Sequence, residues 1–517
     1  MRSRKEKNLL FDIQENIDEK SIIAELSNLY RVVKVSSKTI RQIYLDTFDW
    51  RLYNKNLILI KEPELFKLKN IYTHKYLSSL SSDLNNNPKF WWDFNDSLLK
   101  EELKKIIDLR ALIQIISVRK TIQSYKLLNK DEKTVVIIYF EKIKPHRRNS
   151  ALHSTNLLIC KPLRGYENDL KQIKKPIVDL GLKLSETSYY ELLLNKSAIV
   201  PADYSSKLNI SLNADMSTRD ALLTILTSLL RTIKKNEDGI KKDIDTEFLH
   251  DFRVAVRRTR SALSLIKGVF DKEQLRIHRT NITKLGKATN ALRDLDVYLL
   301  KENQYKKLIP RTQHKGLELI FDKFKEQRKI ELAKLKRFLN SKHYKKIISD
   351  WEDFLNNGGQ ISDETENAGT NVLSTAKRII NKKHKEILKA GAIINDNSPD
   401  EQLHSLRIEC KKLRYMIEFF SSLFPENEID QFIKQLKKLQ DNLGDFNDLY
   451  VQQQSLKEYS EKFDSHSKEI TISIGGLIAV LYRKQIETKK QFNSSFELFA
   501  SKENTSLFNK IFRSKKS

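Results

Sequence analysis

The sequence predicts an α+β protein of two domains: an amino-terminal antiparallel sheet with a few helices, then a larger all-helical domain. Three observations predict this. Residues 1–200 alternate short β-branched and aromatic segments with Asn, Pro, Ser and Asp. After Pro201, apolar residues recur at three- and four-residue spacing among Lys, Glu and Gln, and proline nearly vanishes. The helical part also contains one basic segment twice.

In chain order, the strand candidates are TIRQIYLDT (39–47), NLILIKE (56–62), KTVVIIYFEKI (133–143) and STNLLICKPL (154–163), with a helical stretch over 97–116. SSDLNNNP (81–88) reads as an exposed loop. The pattern suggests a mostly antiparallel sheet with a few helices over residues 1–200, the unit whose resemblance given below implies a β-barrel or tunnel-like arrangement. Helical periodicity covers 216–350 and 371–515, divided by the polar, glycine-bearing NNGGQISDETENAGT (356–370). The halves, about 212–355 and 371–515, are expected to be two related helical bundles about a pseudo-twofold axis.

The duplicated segment is LHDFRVAVRRTRSALSLIKGVF (249–270) and LHSLRIECKKLRYMIEFFSSLF (403–424). His250 matches His404, Arg253 matches Arg407, Arg257 matches Lys411 and Arg260 matches Arg414. A helix advances about 100° per residue, so these positions fall within an arc of roughly 80°. Phe252, Val256, Leu263 and Ile266 line the other side of the first copy; Leu406, Cys410, Ile417 and Phe420 line that of the second. A solvated face normally mixes signs, yet residues 252–263 hold no carboxylate. Arginine, which dominates here, has a planar fork suited to phosphate. Ser398–Glu401 (SPDE) reads as a capping box before the second copy. Further on, ITKLGKATNALRDLDV (282–297) parallels IKQLKKLQDNLGDFND (433–448). That match pairs Lys287 with Lys438 and Asp294 with Asp445, and shifts the offset from 154 to 151 residues. The two aspartates are expected to orient nearby cations.

The 517-residue chain holds 94 Lys+Arg against 67 Asp+Glu, a net charge of +27. Such a surplus points to a polyanion: nucleic acid, an anionic membrane surface or a phosphate polymer. Two cysteines exclude a disulfide framework and fit a reducing compartment. The opening MRSRKEKNLLFDIQENID has no apolar core of signal-peptide length. The apolar run from Ile472 to Tyr482 is about half the ~20 residues a membrane span needs, so no membrane role is expected. The chain contains no GxxxxGK, GxGxxG, CxxC or HExxH. The ten histidines show no i, i+3 or i, i+4 pair, so neither a metal nor a cofactor is expected.

LHDFRVAVRRTRSAL, RDLDV and LHSLRIECKKLRY resemble the CHAD family, the conserved histidine α-helical domain, over residues 212–515. The resemblance implies two four-helix bundles around a basic cavity that binds inorganic polyphosphate. It implies contacts from His250, Arg253, Arg257, Arg258 and Arg260, and from His404, Arg407, Lys411, Lys412 and Arg414. Arg231, Lys234, Lys235, Arg378, Lys382 and Lys383 on the preceding helices, with Lys287 and Lys438, are secondary expectations. The cysteine count and the missing signal-peptide core and membrane span lead to the expectation of a soluble, cytoplasmic chain, with polyphosphate granules as an expected association.

IYLDTFDWRLYNKNLIL (43–59), VRKTIQSYKLL (118–128) and SETSYYELLLNKS (185–197) resemble the CYTH family of triphosphate tunnel enzymes over residues 8–200. That family places Glu-x-Glu strands and a Lys around Mg²⁺ and a triphosphate. Here FDIQENI offers Asp12, Gln14 and Asn16 at alternate positions, and NLLICKPL has no carboxylate. Without paired carboxylates there is no reason to expect a metal, so this domain is expected to be inert. Lys61, Arg119, Lys120 and Lys161 are open to anion binding or plain solvation, and a protein partner for this domain is left open. The leading expectation is therefore non-enzymatic polyphosphate binding. A triphosphate or polyphosphate hydrolase and a nucleic-acid binder are the alternatives, though Tyr415 is the one aromatic within the ladders and no specific nucleic acid is expected.

Overall fold

The computed structural model describes residues 8–14, 17–73, 75–81, 87–145, 154–359, 365–462 and 468–513. Asn16, most of the 81–88 loop and part of the 356–370 segment lie outside these residues. The chain divides into two compact units, Met1–Ser205 and Ser206–Ser517.

The first unit holds strands β1 (Leu9–Ile13), β2 (Arg31–Asp46), β3 (Leu57–Glu62), β4 (Leu65–Asn70), β5 (Tyr76–Ser81), β6 (Ile113–Leu128), β7 (Thr134–Pro145), β8 (Thr155–Pro162) and β9 (Lys183–Leu184). They form one antiparallel sheet in the order β5-β4-β3-β2-β6-β7-β8-β1-β9. No ladder joins β5 to β9 among the described residues. Helices α1 (Glu19–Ser27), α2 (Leu98–Ile107), α3 (Glu167–Asp179) and α4 (Tyr189–Lys196) accompany it. The helix expected over 97–116 stops early: Asp108 takes φ +49°, and Ile113 begins β6. Ile116 and Val118 are then buried at alternate positions, as on a strand rather than on a helix face.

The second unit is helical: α5 (Thr218–Lys242), α6 (Thr246–Leu265), α7 (Lys272–Ala288), α8 (Asn290–Leu300), α9 (Glu302–Lys306), α10 (His314–Asn340) and α11 (Lys342–Asn356). Then follow α12 (Val372–Ala392), α13 (Asp400–Phe420), α14 (Glu426–Lys462), α15 (Lys468–Lys490), α16 (Phe492–Ala500) and α17 (Lys502–Phe512). Side-chain caps start several of them. Ser217 accepts from Asp220 N, Asp245 from Glu247 N and Phe248 N, and Asn371 from Ser374 N. The expected SPDE capping box does not form. Pro399 occupies the N-cap, and the Ser398 hydroxyl accepts from Asn395 N instead.

Four helix starts lie at a constant spacing: 218 and 372, 246 and 400, 272 and 426, 314 and 468 each differ by 154. The shift to 151 expected from residue identities is therefore incorrect. The constant offset pairs Ile282 with Leu436, Leu285 with Leu439 and Leu292 with Phe446, all buried. The identity match paired residues that share a letter but not a place.

Between the halves runs a pseudo-twofold axis. Ser217 and Asn371, 154 apart, form an isolated antiparallel bridge. Thr218 N donates to Thr370 O at 2.7 Å, and Val372 N donates to Met216 O at 3.0 Å. These two bonds exchange under the same offset. Helix α5 packs on α12, α6 on α13 and α10 on α15, each against its own counterpart. At the last contact Gly316 admits the α15 backbone: a Cβ there would fall well inside contact distance of the Glu469 carbonyl oxygen and the Ser473 hydroxyl. Gly316→Ala should force α10 from α15 and cost about 1–3 kcal/mol, the usual range for overpacking, as read by urea denaturation.

Candidate functional site

Helices α6 and α13 carry the two basic ladders. Their apolar sides are buried: Phe252, Val256 and Leu263 on α6, and Leu406, Cys410 and Ile417 on α13. That burial fixes the helices and leaves Arg257, Arg407 and Lys411 within electrostatic reach of one another. The Arg257 guanidinium lies over the Tyr415 ring, 5.6 Å from its centre, joining the ladders across the axis. Arg257 and its counterpart Lys411 are close enough to repel. Burial pushes the Lys411 ammonium down to about 8, and Arg407 and Arg257 push in the same direction against Asp448. Arg407 is lowered by burial and Arg257, with Asp448 opposing.

The structure sorts the expected contacts into two groups. Several are held by neighbours. Arg253 donates to Thr289 Oγ1 at 2.8 Å, Asn290 Oδ1 at 2.7 Å and Gly286 O at 3.4 Å. These acceptors gather because the helix breaks at Thr289, between α7 and α8, where α14 runs on. Arg258 donates to Ser206 O at 3.0 Å and Glu418 Oε2 at 2.7 Å. Arg414 donates to Glu418 Oε1 at 2.7 Å and Gln440 Oε1 at 3.4 Å. Glu418 thus bridges the halves. Lys412 pairs with Glu409, and Arg407 with Asp448 at 3.3 Å. Arg257, Arg260 and Lys411 form no ion pair among the described residues, and the two arginines are exposed.

Arg293 Nη2 donates to His250 Nδ1 at 2.9 Å. Arginine cannot accept, so His250 Nδ1 is the acceptor of this bond. His404 Nδ1 lies 2.5 Å from Asn447 Oδ1. Asp294 faces Arg253 and Arg293, as expected of an orienting carboxylate; burial raises its pKa and both arginines lower it. Asp445 does not play that part: burial, Asp448 and Asp441 raise its pKa, and Lys301 opposes them. Asp448, 154 residues after Asp294, faces the second ladder. Arg293, Asn447, Asp448 and Glu418 were missed in the sequence, although the constant offset points to the middle two.

Of the secondary residues, Lys234 pairs with Glu352, and Lys383 with Glu386 and Glu409. Arg231, Lys287, Lys382 and Lys438 are exposed, and Lys235 is half-buried. Arg378 donates to Asn367 Oδ1 at 3.2 Å.

In the sheet unit, Asp12 is tied to Lys196 at 2.5 Å, and β8 has no carboxylate. Asp46 of the Tyr–Asp–Thr segment accepts from Thr47 N, Leu52 N and Tyr53 N, which makes it a turn-former. Burial pushes it up to about 7. The interior charges lie on other strands than expected. Lys67 pairs with Glu62 at 2.6 Å and Lys120 with Glu141 at 3.0 Å. Lys69 stands among them, pushed down to about 8 by burial and then by Lys120. Lys120 is therefore buried and paired, whereas Arg119 and Lys161 are exposed and Lys61 donates to Asn87. Among the described residues no group of three or more His, Cys, Asp or Glu is placed to hold a metal. No helix among them is long and apolar enough to cross a membrane.

These observations define a duplicated helical domain with cations gathered at its axis. Residues 224–457 match the CHAD domain family, and this part of the helical unit is a CHAD domain. No curated protein matches the chain by sequence. Among solved structures, the CHAD domain from the plant Ricinus communis is 25% identical, with a TM-score of 0.48, covering 56% of this chain and 94% of its own. PptA from Streptomyces chartreusis is 13% identical, with a TM-score of 0.45, covering 55% and 100%. HpAC1 from Hippeastrum, a candidate adenylyl cyclase described as having a dominant triphosphatase activity, is 10% identical, with a TM-score of 0.28, covering 38% and 99%.

Arg258 and Arg257 are neighbours with opposite expected phenotypes. Arg258→Ala should cost about 1–3 kcal/mol, because it removes a charged hydrogen bond from a largely buried carboxylate. Arg257→Ala should stay within about 0.5 kcal/mol of the parent, as surface changes do. Chemical denaturation of the two variants distinguishes them.

Proposed function

We propose that the CHAD domain holds inorganic polyphosphate along the cations of α6 and α13 without cutting it. The observation that carries this reading is the crowding of Arg257, Arg407 and Lys411 at the pseudo-twofold axis, opposed by Asp448. A bound chain of phosphates supplies the missing negative charge. Arg257 and Arg260 offer planar forks for paired phosphate oxygens, and Lys411 offers a point charge. None of these groups reads a base. Tyr415 is 7% exposed and lies under Arg257, so it offers no stacking surface to a nucleic acid.

Replacing Arg253, Arg257, Arg407 and Lys411 together by Glu should abolish binding in a polyphosphate titration; equal affinity in parent and variant sinks the reading. If four phosphates are neutralised, affinity should fall with a log–log salt slope of about −3.

The shifted lysine gives a pH signature. In the free protein Lys411 loses its proton near pH 8 rather than near its ordinary value, and an anion beside it favours the charged form. Affinity should therefore be fully present below pH 8 and weaken as pH rises through it. Binding at pH 9 should take up a proton, measured by calorimetry in buffers of different ionisation enthalpy. Lys411→Arg should remove the uptake while keeping the affinity.

A further inference from the structure

We propose that the cleft between α9, α14 and α15 binds a small zwitterion of the amino-acid or short-peptide class. Its ammonium lies against the acids of α14, and its carboxylate against the lysines beside α9 and on α15. The cleft has a volume of about 610 Å³, within the roughly 300–1,000 Å³ of ligand cavities. Its walls carry both signs of charge: Asp445, Asp448 and Glu487 against Lys301, Lys307 and Lys484. Asp448 accepts from Arg407, and the other five form no ion pair among the described residues. Lys484 and Glu487 stand i, i+3 on α15, the spacing at which Lys383 pairs with Glu386, yet they stay apart. The floor is apolar at Leu308, Leu449 and Leu481, with one polar group among them. Gln452 is 8% exposed, and its Oε1 accepts from the Tyr305 hydroxyl at 2.5 Å. Its Nε2 has no hydrogen-bond partner among the described residues. An amide donor held this far from water without an acceptor is unfavourable, and a carboxylate oxygen in the cleft satisfies it.

The pseudo-twofold axis provides a matching cleft of about 550 Å³, and its walls are different. At the constant offset of 154, Leu449 matches Leu295, Leu481 matches Gln327 and Tyr305 matches Tyr459, and all six line their clefts. Asp445 matches Ala291, and Lys484 matches Ile330. One copy thus carries an acid and a base where the other carries a methyl group and an apolar chain. Gln452 matches Tyr298, so the free amide donor also belongs to one copy. A solvated face has no reason to concentrate unpaired charges of both signs around one member of a matched pair of concavities. Burial, Asp448 and Asp441 raise the Asp445 pKa against Lys301, so the α14 wall is short of positive charge, which an ammonium supplies. None of the ladder cations lines this cleft, and its ligand carries both charges where the polymer carries one.

The test is calorimetric titration of the full chain with L-alanine and with trialanine, and separately with putrescine and with succinate. The parent should bind at least one of the two zwitterions, and either more tightly than the diamine or the dicarboxylate. Asp445→Asn/Lys484→Gln should weaken that binding by about tenfold or more, because it removes a charged contact at each end of the ligand. Glu326→Gln, in the matching cleft, should leave it within about twofold, as a distant and independent site does. Asp445 and Lys484 are exposed, and an unaltered melting curve confirms that any loss is local. Lys307→Gln, at a third exposed position in the lining, should also weaken binding and reports separately should the paired variant disturb the fold. Unchanged affinity in the cleft variants, equal loss in Glu326→Gln, putrescine or succinate binding as tightly as the zwitterions, or no binding to the parent overturns the proposal.

Discussion

Packing two cationic helices against each other is the constraint on which the helical unit depends. Arg257, Arg407 and Lys411 meet where α6 crosses α13, and like charges in a partly buried place oppose that contact. The contact survives for two visible reasons. Beneath the cations, Phe252, Val256, Leu406, Leu413 and Cys410 are removed from water. Beside them, Glu418 accepts from Arg258 of one half and Arg414 of its own. A carboxylate bridging two arginines offsets part of the repulsion without occupying the axis. The reciprocal backbone bonds at Met216–Thr218 and Thr370–Val372 fix the same symmetry where no charge is involved.

Much of this was legible in the sequence because it rests on periodicity. The antiparallel sheet and the helical region follow from period-two and period-3.6 patterns, which reflect burial on one face. The duplicated ladder was legible because its letters are kept. What failed was matching by letter where only burial is kept. Leu285 aligns in space with Leu439, yet the identities drew it to Leu436, and Asp294 was drawn to Asp445 instead of Asp448. The break at Thr289 has no strong sequence signal, since Thr and Asn are tolerated inside helices. Which cations stay free was illegible in principle. Arg258 and Arg257 are adjacent arginines on one helix, and only tertiary packing gives one a carboxylate and the other an aromatic ring. In the sheet unit, the interior charges come from β3, β4, β6 and β7, and period two reveals a face without saying which face closes over a polar interior.

The halves differ in ways that matter more than their likeness. The first spends Arg253 on a broken helix; the second ties Arg407 loosely to Asp448 at 3.3 Å. Arg258 of the first half is bound to Ser206 O and Glu418, whereas its counterpart Lys412 lines a basic cleft with Lys267, Arg378 and Lys382. A duplication under no further demand would drift at random. Here the departures fall on the groups that decide whether a cation is held by the protein or left to solvent.

The symmetry itself discriminates between polyanions. A pseudo-twofold axis presents matched groups, Arg257 and Lys411, to a ligand crossing it, with the two halves running in opposite senses. A strand of nucleic acid has a direction, so the sugar and base edges it offers one half differ from those it offers the other. A linear phosphate chain reads identically from either end and offers both halves the same oxygens at the same spacing. A ligand with no direction matches a site with a twofold axis, and the cations at that axis ask only for repeated negative charge.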